Sequence, residues 1–333
     1  MGTEMRRRTA ILALCLLAAV PAAVQAATAP VSWAQPQIVT VVAHGLLAPD
    51  VASFRPDDPL TAQDLDTLVG GLTGQPVLAT ASTSPVTITT LDARLVRAAG
   101  LTDAAARFQA GARAAGLAPP SRLGTEAVAR LLGLRTNHPA ALDYLEPLPN
   151  SPASRAEAAY SAARMLAWTG AQQAYARAAA ATFVLPPLTA QQTEILRTAL
   201  SFVGFPYVWG STSEKTGFDC SGFVWRVYKL QAYADLPGLS GTVMGRTAAQ
   251  MAAEAAPADR IALADLQPAD IVFFGTKGTS SKPAQVDHVG IYLGDGWLVQ
   301  SGSTGVALVP LTDWYRTHFA WGRRPLDSAI TDF

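Results

Sequence analysis

Apolar residues in the first half of the chain recur at the three- and four-residue spacing of a buried helix face, in 62–72, 125–134 and 155–168. Thr61 and Ser154 stand where N-caps belong, and Glu157 follows Ser154 at the spacing of a capping box. The pattern stops at Pro186-Pro187, a pair that breaks both helix and sheet. Beyond it the period changes. Residues 195–203 and 220–228 read as helices, and the apolar runs 270–274, 288–293 and 297–300 read as strands. Gly294-Asp295-Gly296 joins the last two, a strong hairpin cue. Helices first and antiparallel strands after predict an α+β arrangement, with helices packed on a small antiparallel sheet.

The 333 residues, half of them hydrophobic, suffice for about two domains. Lys and Arg total 25, as do Asp and Glu, so no basic excess points to nucleic acid. No Gly-rich phosphate loop precedes a helix, which leaves nucleotide chemistry unsupported. Arg6-Arg7-Arg8, the apolar run 11–20 and Val24-Gln25-Ala26 form the three regions of a signal peptide over 1–26. The run is about half the roughly 20 residues of a membrane span, which favours cleavage near Ala26 over a retained anchor. Bulky Leu14 and the apolar surroundings of Cys15 speak against a lipid anchor there. The expected location is therefore secreted or cell-wall-associated. Cleavage would remove Cys15 and leave Cys220 as the single thiol. One Cys and scattered His build no standard zinc set, and no cofactor is expected.

A lone thiol in an exported protein is either a small core residue or a reactive group. The run Gly217-Phe218-Asp219-Cys220-Ser221-Gly222-Phe223 favours the second reading. It puts Cys220 at the start of a predicted helix, where the dipole favours thiolate, the nucleophilic form. Gly222, a poor helix former, suggests a close backbone approach at that point. Of the four histidines, only His288 lies in a clean strand–turn–strand frame, and a neutral imidazole there can take a thiol's proton. His44, His138 and His318 read as structural. Gln300 ends the strand that the turn pairs with the His288 strand, so its carbonyl oxygen can fix the imidazole tautomer. Taken without the Cys and His, Gln300 would be only a strand-end residue.

The order Cys220, His288, Gln300 resembles the NlpC-type family of cell-wall cysteine peptidases. Supporting motifs fall in family order: Phe-Pro-Tyr-Val-Trp-Gly at 205–210, Asp219 to Phe223, Arg246-Thr247 ahead of a helix, the strand at 266–274, and 288–293. The resemblance spans about 190–325 and implies a papain-like fold. It also implies Cys220 as nucleophile, His288 as base, Gln300 as orienting residue and Tyr207 beside the oxyanion. Asp219, Ser221 and Arg246 would bind the stem peptide, and the substrate would be a γ-D-glutamyl bond to a diamino acid in peptidoglycan. Three departures concern substrate range: Gln300 where His is more common, Gly210-Ser211 in place of paired glycines, and a long segment at 238–245 that reads as a loop over the cleft.

The first half is similar to S-layer-homology repeats, in Ser32-Trp33-Ala34, 38–45 and the run Phe54 to Thr61. The Thr-Arg-Ala-Glu box of that family is degraded at 61–64 and 124–127 and nearly whole in Ser154-Arg155-Ala156-Glu157. The resemblance implies binding of a secondary cell-wall polymer through Arg155 and Glu157. A helical domain that kept the fold and lost the ligand is the other reading. The expected organisation is a signal peptide (1–26), an all-α helical-repeat region (27–185), a linker (186–192) and a papain-like peptidase (193–327). The expected activity is peptidoglycan endopeptidase through a Cys thioester. An inactive wall-binding protein, or an amidase or acyltransferase on another amide, are the alternatives.

Overall fold

The computed structural model describes residues 31–76, 81–231 and 243–326. The signal-peptide segment and most of the expected cleft loop at 238–245 lie outside the described residues. Seven helices occupy the first half of the described chain: α1 (Gln35–Ala43), α2 (Ala62–Thr73), α3 (Ile88–Ala98), α4 (Thr102–Ala114), α5 (Leu123–Leu131), α6 (Arg155–Leu166) and α7 (Ala171–Thr182). Their starts follow cap chemistry. Thr61 accepts from the Asp64 amide while the Asp64 carboxylate returns to the Thr61 amide, closing a capping box on α2. Ser154 caps α6 by accepting from the Glu157 amide. The Glu157 carboxylate does not return the bond. It is 5% exposed and turns inward to Arg135 and His138.

After the two prolines come α8 (Ala190–Ser201), the short pair β1 (Thr212–Ser213) and β2 (Gly217–Phe218), and α9 (Cys220–Trp225), which runs into a π-turn over Arg226–Gln231. Then follow α10 (Ala248–Ala253), β3 (Ile271–Gly275), β4 (Val286–Gly294), β5 (Trp297–Gly302), β6 (Gly305–Pro310), α11 (Asp313–His318) and β7 (Phe319–Arg323). Strands β3 to β7 form one antiparallel sheet in the order β6-β5-β4-β3-β7. Every residue of β3 is buried, as its unbroken apolar run requires. The turn between β4 and β5 has positive φ at Gly294, Asp295 and Gly296, which sets the tight hairpin and the register of both strands.

The helices and the sheet share a continuous buried core from Ala34 to Leu326. Phe108 of α4, Phe183 and Trp297 of β5 meet with ring centroids 5.1 to 5.4 Å apart, and Trp297 Nε1 donates to Thr182 O at 3.2 Å. Pro186 lies against Gly294, and Leu185 is buried. The two prolines therefore break the helix without separating its neighbours. Among the described residues no helix is long and apolar enough to cross a membrane.

Candidate active site

The position of Cys220 follows from its neighbours on both sides. Asp219 is the N-cap of α9: its Oδ1 accepts from the Gly222 amide at 2.5 Å and from Ser221 Oγ at 3.1 Å. The Asp219 amide donates to Ser211 O at 3.1 Å. A Cβ on Gly222 would strike that same carbonyl, which accounts for a glycine inside the first turn. Beneath α9, Phe218 and Phe223 pack with Phe202 in a buried aromatic cluster. The other wall is β4. Cys220 Sγ lies 4.0 Å from Asp287 O, the residue before His288. Cys220 and His288 both line a cleft of about 500 Å³, with Tyr207, Trp209, Asp219 and Arg246 around them.

Gln300 reaches the same place through the sheet register. It pairs with Gly290 across β4 and β5, and His288 is two residues along on the same face. A Cβ on Gly290 would stand 3.0 Å from the Gln300 Cβ, so the glycine leaves the room in which this side chain lies. Gln300 is 2% exposed, and its interaction with the imidazole raises the pKa of His288. Among the described residues, His288 Nε2 and Gln300 Oε1 are both buried and make no hydrogen bond. An Nε2–H turned toward that oxygen would satisfy both atoms once substrate or a small side-chain shift closed the gap, since a buried polar group left unmade is costly. Phe274, Trp314 and Tyr315 close around the ring, with centroids 5.8, 6.1 and 6.3 Å away.

Burial dominates the protonation of this pair. It pushes the His288 pKa down to about 4, against the smaller opposing pull of Gln300 and Asp287. It pushes the Cys220 thiol up to about 11, helped by the Asp219 charge and opposed by the amides of Ser221, Val289 and Cys220. The thiolate expected from the start of a helix is therefore not the resting form. Helix α9 is only six residues long, and its field is weaker than the burial of the sulfur and the adjacent carboxylate. Burial thus favours the neutral thiol and the neutral imidazole over the charged pair. Cys220 alkylation by iodoacetamide should accordingly rise about tenfold per pH unit from pH 7 to 10. A rate already level between pH 6 and 8 would contradict this assignment.

Arg246, just ahead of α10, donates to Ser221 Oγ at 2.9 Å, to Gly210 O at 2.9 Å and to Asp219 Oδ2 at 3.0 Å. The guanidinium thus fixes Asp219 and Ser221 at the cleft floor. Tyr207 lines the cleft, and burial first, then the Cys220 and Asp219 charges, push its phenol to about 12. It remains a hydrogen-bond donor at any physiological pH. Ser211 uses its hydroxyl on Thr216 Oγ1 at 2.7 Å and on Gly217 O at 2.8 Å, bracing the β1–β2 turn.

Arg155 and Glu157 lie elsewhere. Arg155 donates to Phe54 O, Leu47 O and Asp64, beside a separate cavity of about 430 Å³. His138 sits among Glu157 and Glu146, His44 bonds Thr40 O at 2.9 Å, and His318 stacks on Trp314 at 4.4 Å. Among the described residues no cluster of three or more His, Cys, Asp or Glu has the arrangement of a metal site. Sequence reasoning missed Gly290 and Ser301. The buried Ser301 hydroxyl donates to Phe218 O at 2.7 Å and so ties the Gln300 strand to the Cys220 segment. A glycine in the middle of an apolar strand was the available signal for Gly290.

Residues 204–324 match the model of the NlpC/P60 family. The chain is similar to murein DD-endopeptidase MepH of Escherichia coli (strain K12), at 38% identity, covering 37% of this chain and 41% of that protein. It is similar to the bifunctional muramidase/DL-endopeptidase CwlT of Bacillus subtilis (strain 168), at 34% identity over 39% of this chain and 35% of that protein. A γ-D-glutamyl-L-lysine dipeptidyl-peptidase of the same organism is 33% identical over 36% of this chain and 35% of that protein. The chain thus spans between 35% and 41% of the length of these relatives. Residues 204–324, which carry Cys220, His288 and Gln300, form an NlpC/P60 domain with cell-wall endopeptidases among its relatives.

Proposed function

We propose that the protein is a peptidoglycan endopeptidase that cuts a stem-peptide amide through a thioester on Cys220. The observation that carries this reading is a thiol and an imidazole lining one cleft within the NlpC/P60 match, with a buried amide on the strand paired to that of the imidazole. Cys220 attacks the scissile carbonyl as His288 takes its proton, so that thiolate forms only as the bond is made. His288 then gives the proton to the leaving amine, and water, activated by the same imidazole, hydrolyses the thioester. Gln300 holds the Nε2–H and leaves the other ring nitrogen for the thiol. The Cys220 amide and the Tyr207 hydroxyl stabilise the oxyanion. Asp219, Ser221 and Arg246 receive the polar end of the peptide. The catalytic domain is papain-like and occupies 193–327, after a helical region and the segment 186–192.

The three relatives do not all bear the name of one bond, so their names alone do not choose the bond for this chain. We assign cleavage between γ-D-glutamate and the diamino acid. Digestion of defined muropeptides followed by mass spectrometry tests this. Products split after D-glutamate support it, and products split only at a cross-link, or none, count against it.

In the helical region, the cavity beside Arg155 is where a wall polymer would bind. Glu157, buried and held by Arg135 and His138, has no place in that contact.

A further inference from the structure

We propose that Asn137 and Arg130, in the helical region, are positioning residues for Gln300, so that this region is part of the catalytic unit. This inference rests on the acyl-transfer reading of the cleft. Gln300 is followed by the β5–β6 turn, and three successive carbonyls of that turn accept from the helical region. Asn137 Nδ2 donates to Gly302 O at 3.0 Å, the Asn137 amide donates to Ser303 O at 3.0 Å, and Arg130 Nη1 donates to Thr304 O. Arg130 is 5% exposed, and its other terminal nitrogen donates to Gly204 O while its Nε donates to Glu126 Oε2 at 3.2 Å. One guanidinium therefore grips both the turn after Gln300 and the segment that leads to Tyr207. The two gripped segments are themselves joined, through the Gly204 amide to Val306 O at 3.0 Å and the Val306 amide to Phe205 O at 2.8 Å.

The fit around these contacts is tight. A Cβ on Gly305, whose φ is +78°, would stand 2.6 Å from Arg130 Nη1. A Cβ on Gly302 would stand 2.6 Å from Gln300 Oε1 and 3.1 Å from its Nε2. The catalytic amide thus lies directly over the residue whose carbonyl Asn137 holds. Slack at Gly302 passes to the Gln300 side chain, which lies on the strand paired with that of His288 and raises the imidazole pKa. A side chain needed only to join two halves of a fold would not have to end against the backbone under the orienting residue.

Asn137 is half-buried and uncharged, and its side chain donates to a neutral carbonyl, so its replacement leaves no charge uncompensated. Asn137→Ala should lower kcat on a muropeptide about tenfold to 10²-fold with KM unchanged, the effect of a small misplacement at the reacting groups. In a Gln300→Ala background the same substitution should cost nothing further, because the residue it positions is gone. Arg130→Lys, which keeps the charge beside Glu126, should behave likewise. NMR titration of the His288 Cε1–H supplies a readout that needs no turnover. Gln300→Ala should lower its midpoint, and Asn137→Ala should reproduce part of that fall. Unchanged kcat and an unchanged midpoint in both Asn137→Ala and Arg130→Lys would overturn the inference, as would losses that multiply fully in the Gln300→Ala background. A wild-type protein that hydrolyses no muropeptide would overturn the proposed function instead, and the titration would still decide the positioning.

Discussion

Replacing His288 with alanine should lower kcat/KM for stem-peptide cleavage by about 10²- to 10⁴-fold, the usual contribution of a positioned base. The size of the loss follows from the protonation of the site. With the Cys220 thiol pushed up to about 11, very little thiolate exists at neutral pH without a base to take the proton. No other imidazole lines the cleft. The fold should survive, because the His288 strand is paired on both sides, with Phe274 opposite His288 in β3 and Gln300 opposite Gly290 in β5. The acid limb of the wild-type kcat/KM profile should fall near pH 4, where the imidazole becomes charged and can no longer accept a proton. A loss of less than about tenfold in the variant would mean that another group serves as base.

Replacing Arg135 with leucine should cost about 3–5 kcal/mol of stability, the effect of breaking a buried ion pair from one side. Arg135 is 4% exposed and stands 3.1 Å from an Asp92 oxygen and 2.6 Å from Glu157 Oε2, with Ser161 Oγ also accepting from it. Asp92 is fully buried on α3, and Glu157 has only His138 besides. Urea unfolding measures the loss, and a change below about 1 kcal/mol would show that the cluster relaxes into solvent. The same cluster sets a pH dependence. Burial raises Asp92 from 3.8 and Glu146 from 4.5, each to about 7, so their contribution is complete at low pH and is lost as pH rises through about 7. Arg135 and His138 hold Glu157 below its usual 4.5 against the cost of its burial, so its contribution is present above that value and lost in acid. The melting temperature should therefore be higher at pH 6 than at pH 8.

Much of the catalytic half was legible because its signals are local. The unbroken apolar run of β3, the alternation into β4 and the Gly294–Gly296 turn each depend on neighbours along the chain, and strands and turn formed where expected. Gly222 marked a close backbone approach, which the Ser211 carbonyl makes, whereas the cap role of Asp219 came to light only in the structure. What escaped was non-local. Strand β7 inserts beside β3 from the far end of the chain, and β6 completes the other edge. Asp92, Glu126 and Glu157 sit on helices where charged residues usually face water, and nothing in their spacing marks them as buried. The burial that opposes the helix dipole at the thiol escaped for a related reason. A helix start is visible in a sequence, whereas the burial that outweighs its dipole comes from β4, some seventy residues on. The proline pair falls in the non-helical stretch between α7 and α8, and α8 begins at Ala190, inside the segment 186–192 read as a linker. That Pro186 would pack on the β4–β5 turn was not legible, since the partner belongs to the sheet.

The whole account depends on the sulfur of Cys220 being the attacking atom. Purified cell wall incubated with wild-type protein and with Cys220→Ala, with released peptide fragments measured by mass spectrometry, tests that directly. The expected result is fragment release by the wild type and none above background from a Cys220→Ala protein of unchanged circular dichroism. Undiminished release by that variant would contradict the account.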